Sequence, residues 1–212
     1  MKVTNRILLV LVVLAFPVVL FAQPANEVGV WISTSQFDDT GFVDEDGIEL
    51  ELSFDENIGY GVSFSHFWSQ SLATEFSAQQ LSADAEITVS GPGLPTFEID
   101  GGELEVMVYA ATAQWHFARG SRISPYVGAG AALVTGEVSG GDEIDGEDFS
   151  TDLENEFTWL ANAGVNFGLT DSLSLGLDAK YIAYEPNAEG DDEEASEELN
   201  PLVFSAGIKF RF

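Results

Sequence analysis

The chain reads as an all-β protein: an eight-stranded antiparallel transmembrane β-barrel with four long acidic extracellular loops and short periplasmic turns. Three observations predict this. Segments of period two recur along the chain, long and short connections alternate strictly between them, and the last such segment ends on an aromatic residue. The closing segment is the clearest. From Leu202 the even positions are Leu, Phe, Ala, Ile, Phe and Phe, and the odd ones are Val, Ser, Gly, Lys and Arg. Neighbouring side chains of a strand point to opposite faces, so this is a strand with one apolar face and one mixed face. Phe212 is the expected assembly signal, presented to a barrel-assembly machinery.

At the other end, residues 1–22 read as a secretory signal. Lys2 and Arg6 form a basic start, an apolar run covers 7–21, and Ala22 is a small residue at the expected cleavage site. That run has 15 residues, short of the roughly 20 that a membrane helix needs. The mature domain is therefore 23–212, and it is expected to cross the membrane with strands, which satisfy every backbone group once they close. The sequence contains no cysteine, so disulfides and thiolate metal sites are excluded.

Taken in order, the strands are expected at 26–36, 57–68, 72–82, 104–117, 124–135, 156–169, 172–184 and 201–212. The connections 69–71, 118–123 and 170–171 are short, and 37–56, 83–103, 136–155 and 185–200 are long. Long connections outside and short turns inside put both termini in the periplasm. The charge divides the same way. The long connections hold 30 of the 36 acidic residues and no Lys or Arg. Arg119 and Arg122 sit in a short turn, whereas Lys180, Lys209 and Arg211 lie in strands. A net charge of −29 excludes nucleic acid as a partner, since binding it requires a basic footprint. Outer-membrane lipid is the expected surrounding, with aromatic girdles from Phe67, Trp68, Trp115 and Phe117 at one rim and Tyr60, Tyr109 and Trp159 at the other.

Two segments resemble the OmpW type of small outer-membrane protein. One is Ser124-Pro125-Tyr126-Val127-Gly128-Ala129-Gly130. The other is Leu199-Asn200-Pro201-Leu202-Val203-Phe204-Ser205-Ala206-Gly207, running on to Phe212. The resemblance implies an eight-stranded barrel with an apolar upper lumen, associated with passage of small hydrophobic compounds. Two features depart from it: residues 28–36 carry no basic residue, and the loops are unusually acidic.

Strand parity supplies an independent list of lumen residues. Giving the more apolar face of each strand to lipid leaves Leu81, Leu160, Ile182 and Val203 in the upper lumen; the fourth strand is ambiguous by this rule, and turning Met107, Tyr109, Trp115 and Phe117 outward adds Val106 and Val108. They form either a packed cap or a pocket for a small hydrophobic ligand. Trp31, on the inward parity with Gly29 and Ser33, either packs in the lumen at mid-height or touches that ligand. Lower down, Glu75 and Asp178 face Lys180, Lys209 and Arg211 and are expected to pair off as a plug, because unpaired buried charge is costly. Eight strands leave no room for a wide aqueous pore.

No enzyme is expected. A barrel hydrolase needs a general base near the outer leaflet, and the two histidines, His66 and His116, fall near the periplasmic strand ends. No cofactor is expected either. Asp44, Asp46, Asp142, Asp145 and Asp148 offer hard oxygen ligands for weak Ca²⁺ or Mg²⁺ binding, without the spacing of a twelve-residue calcium loop. The reading is a barrel that binds or admits small hydrophobic molecules. The alternative is a structural or adhesion barrel acting through its acidic loops.

Overall fold

The computed structural model describes residues 26–37, 40–43, 49–92, 94–140, 150–152, 155–184 and 200–212, and all regular structure among them is β. The strands are β1 (Asn26–Gln36), β2 (Thr40–Val43), β3 (Glu49–Glu56), β4 (Gly59–Phe67), β5 (Leu72–Gly91), β6 (Leu94–His116), β7 (Ile123–Ser139), β8 (Ser150–Asp152), β9 (Glu156–Gly168), β10 (Leu173–Ile182) and β11 (Leu202–Arg211). Eight of them close a ring in the order β1, β4, β5, β6, β7, β9, β10, β11 and back to β1. Every neighbouring pair is antiparallel. At the seam Asn26 and Phe212 exchange both backbone hydrogen bonds, at 3.2 and 3.0 Å. No edge remains open there, so every ladder group of the ring has a partner, as the interior of a bilayer demands.

The alternation in the sequence becomes the two faces of the wall. In β1 the odd positions Glu27, Gly29, Trp31, Ser33 and Ser35 are buried and the even positions Val28, Val30 and Ile32 are exposed. Val127, Leu133, Leu175, Leu177, Phe204, Ile208 and Phe210 continue the exposed apolar belt on the other strands. Exposed side chains of this kind belong against lipid. Trp68, Trp115 and Phe117 are exposed at the short-turn end, and Tyr60, Tyr109 and Trp159 are exposed as well. Phe67 is a correction to the expected girdle: it shares the parity of Ser63 and Ser65 and is buried in the lumen.

The short turns are held by their own hydroxyls. Ser69 Oγ accepts hydrogen bonds from the N–H groups of Ser71 and Leu72, and Thr170 Oγ1 does the same for Ser172 and Leu173. These side chains supply the carbonyl-like acceptor that a tight turn otherwise lacks. The third turn is closed by Ser121 Oγ, which donates to Ala118 O at 2.7 Å, and it passes through Gly120 at φ +97°, where a Cβ would be strained.

The long connections contain more strand than the sequence reading assigned. β5 and β6 run on past the barrel as a hairpin to Gly91 and Leu94, β2 and β3 pair alongside it, and β8 pairs with the end of β7. A bulge hides this continuation. The partner of Ala85 is Gly102 but the partner of Glu86 is Asp100, so β6 skips a residue and its inward parity switches from even to odd. Above the bulge Ile87 faces Ile99 and Val89 faces Phe97 across the hairpin, with Phe97 and Ile99 exposed. The segments carrying Asp44, Asp46, Asp142, Asp145 and Asp148, and the signal 1–22, lie outside the described residues.

Candidate functional site in the barrel lumen

The lumen divides into two chemistries along its axis. Toward the long connections lies one apolar cluster made by Phe37, Leu81, Ala83, Leu104, Val106, Val108, Ala110, Ala132, Val134, Leu160, Ile182, Tyr184 and Val203. It brings together Leu81, Val106, Val108, Leu160, Ile182 and Val203, which come from five different strands, each of them 0–1% exposed. Strand parity reaches these residues because β-branched and leucine side chains on the inward face stand out where polar ones are expected. Phe54 packs on the cluster and meets Phe37 with ring centroids 5.5 Å apart. Ser35 Oγ and Tyr184 OH, at this same end, are buried without a hydrogen-bond partner.

Trp31 belongs elsewhere. Its indole Nε1 donates to Ser63 Oγ at 2.9 Å, and Lys209 Nζ lies 5.5 Å from its ring centroid. The ring rests on glycines of β10 and β11: a Cβ at Gly176 would come within 2.7 Å of Trp31 Cη2. It is therefore a floor of the mid-lumen, and the apolar cluster does not include it.

Around and below Trp31 the lumen is filled by hydrogen-bonded polar and charged groups. Glu75 is the hub. Lys209 Nζ donates to its Oε2 at 3.2 Å, Ser65 Oγ donates to the same oxygen at 2.8 Å, and Gln114 Nε2 donates to Oε1 at 3.0 Å. Gln114 also meets His116, whose ring stacks on Tyr126 at 4.9 Å. Lys180 Nζ donates to Gln79 Oε1 at 3.2 Å, and Gln79 Nε2 donates to Ser205 Oγ.

Three of the expected charges take different partners, Lys180 with the neutral Gln79 being the first. Asp178 Oδ2 accepts from Tyr126 OH at 2.7 Å and Asn162 Nδ2 at 2.9 Å, so neutral donors hold it. Arg211 turns to Glu27, a carboxylate the sequence reading passed over although it shares the inward parity of Gly29 and Trp31. Arg211 Nε donates to Glu27 Oε1 at 2.8 Å, and Arg119 Nη2 is 3.9 Å from the same oxygen. Arg119 then covers the Phe67 ring at 3.5 Å from its centroid. Among the described residues no group of three or more His, Cys, Asp or Glu side chains could hold a metal ion.

The two motif segments implied an eight-stranded barrel, and the described strands form one, with a packed apolar cluster at the outer end of its lumen. The OmpW family model matches residues 28–212, nearly the whole described barrel. The chain belongs to the OmpW family. Its relatives include the outer membrane protein AlkL of Ectopseudomonas oleovorans, 24% identical over 173 residues, which span 78% of this chain and 67% of that protein. Among solved structures, OprG of Pseudomonas aeruginosa superposes with a TM-score of 0.64 at 15% identity, covering 90% of this chain and 97% of OprG. The Neisserial surface protein NspA superposes at 0.60 with 14% identity, covering 91% and 100%. The structural likenesses show the shared barrel. Membership in the OmpW family places the chain in the outer membrane of a Gram-negative bacterium.

Proposed function

We propose that this OmpW-family barrel admits small hydrophobic molecules through its upper lumen, without catalysing a reaction on them. One observation carries the reading: among the described residues thirteen apolar side chains converge at the outer end of a lumen whose lower half is crossed by the Glu75, Asp178 and Glu27 networks. A guest entering from outside gains apolar contact as far as Trp31 and then meets charge. Passing straight down would strip those charges of their partners, at a cost of about 3–5 kcal/mol for each broken pair. Phe37 and Tyr184 stand at the outer end of the cluster, so admission requires these two rings to move. The exposed Phe97 and Ile99 of the hairpin above extend apolar surface beyond the mouth. The unpaired hydroxyls of Ser35 and Tyr184 suit a guest with a single carbonyl or hydroxyl on a hydrocarbon body.

The test is uptake of a radiolabelled medium-chain ketone by cells expressing the barrel, compared with Ala132→Phe and Leu160→Asn variants. Heat-modifiable gel migration checks that each variant is folded. Uptake should rise with the wild-type barrel and fall to the background of barrel-free cells with folded variants. Equal uptake in barrel-free and wild-type cells would overturn the reading.

A further inference from the structure

The periplasmic end of the lumen holds a cavity that the admission of hydrophobic molecules does not use. It has a volume of about 350 Å³ and lies between the β6–β7 turn and the β9–β10 turn. Its charged lining residues are Arg122, Arg211 and Asp171, two guanidiniums against one carboxylate. Its inner wall holds Ser124 and Asn166, each 6% exposed. Ser124 Oγ and Asn166 Oδ1 are buried and have no hydrogen-bond partner. Native interiors rarely leave such atoms unsatisfied, and here both occur in the lining of one cavity.

We propose that this cavity is a binding site for a phosphate group. A guanidinium carries five donors in a fork that matches phosphate oxygens. Arg211 commits Nε to Glu27 and keeps its remaining donors. Arg122 is exposed in the turn and lines the cavity too. Ser124 Oγ donates to a phosphate oxygen. Asn166 Oδ1 accepts from a P–OH group, or its amide turns to donate Nδ2 instead. Asp171 is exposed at the rim and opposes an anion, but Arg119, Arg122 and Arg211 against Glu27 and Asp171 leave an excess of one positive charge at this end, in a chain of net charge −29. Lys209, the nearest lumen cation above, is held by Glu75. A phosphate here bridges the two turns. Its source is either free phosphate from the periplasm or the headgroup of an inner-leaflet phospholipid, because both reach this rim.

Refolding the ¹⁵N-labelled barrel in maltoside micelles, which carry no phosphate, separates the two sources. Inorganic phosphate should shift the amides of Ser124, Asn166 and Gly168 saturably, and sodium chloride at equal ionic strength should not. If instead short-chain phosphatidylglycerol added without phosphate shifts the same amides, the occupant is the lipid headgroup. In either arm Arg122→Gln should weaken binding about tenfold, the loss of one charge-assisted hydrogen bond. Ser124→Ala should weaken it while leaving the barrel folded. No saturable shift with either probe, or shifts unchanged in Arg122→Gln, would overturn the site.

Discussion

Glu27 and Arg211 stand directly opposite each other across the seam between the first and last barrel strands, and their side chains are joined at 2.8 Å. They are 184 residues apart in the chain. The pair therefore reports closure: it forms only when β1 and β11 meet in this register. A slip of either strand by one residue would send its member of the pair to the lipid face.

Replacing Glu27 should loosen the seam. Glu27 is 2% exposed and serves two arginines, so Glu27→Gln leaves Arg211 and Arg119 without their carboxylate. Removing one partner of a buried pair costs about 3–5 kcal/mol; the partial exposure of both arginines lowers this to about 2 kcal/mol. Urea unfolding in detergent micelles measures it, and an unchanged midpoint would mean that the pair contributes nothing to closure.

The Glu75–Lys209 pair should show strong coupling. Lys209→Met leaves a buried carboxylate and should cost about 3–5 kcal/mol. Adding Glu75→Gln should recover most of that loss, because the two residues then present no net charge to the lumen. Additive losses in the double variant would place the stabilisation in other contacts of Lys209.

Trp31 and Gly176 should behave as a packed pair. A Cβ at Gly176 would press on the indole at 2.7 Å, so Gly176→Ala should cost about 1–3 kcal/mol. Trp31→Phe in the same chain should relieve part of the cost, since the smaller ring leaves room. If Gly176→Ala is neutral alone, the indole does not rest on β10.

Deleting Phe212 should affect cells more than refolding. Its backbone exchanges two hydrogen bonds with Asn26 and its ring stacks on Phe210 at 6.3 Å, contacts at the very end of the wall. Refolding yield in detergent should stay near that of the full chain, while the amount in the outer membrane drops as the terminal aromatic is lost to the assembly machinery. Equal amounts in membranes would refute a role as an assembly signal.

What the sequence by itself determined is the wall. Period two, loop alternation and the terminal aromatic place all eight barrel strands, because each strand's two faces meet solvents as different as lipid and lumen. The same parity sends Leu81, Val106, Val108, Leu160, Ile182 and Val203 inward, and it holds the signal for Glu27 and Phe67 too, one step beyond where it was followed. Only the tertiary structure decided which inward residues meet. Arg211 finds Glu27, Asp178 finds Tyr126 and Asn162, and Trp31 lies over Gly176, since partners across a lumen depend on strand stagger and closure, which no single strand encodes. The continuation of β5 and β6 beyond the barrel was hidden for a related reason. A one-residue bulge reverses the alternation of β6, so its period of two breaks in sequence while the ladder continues in space.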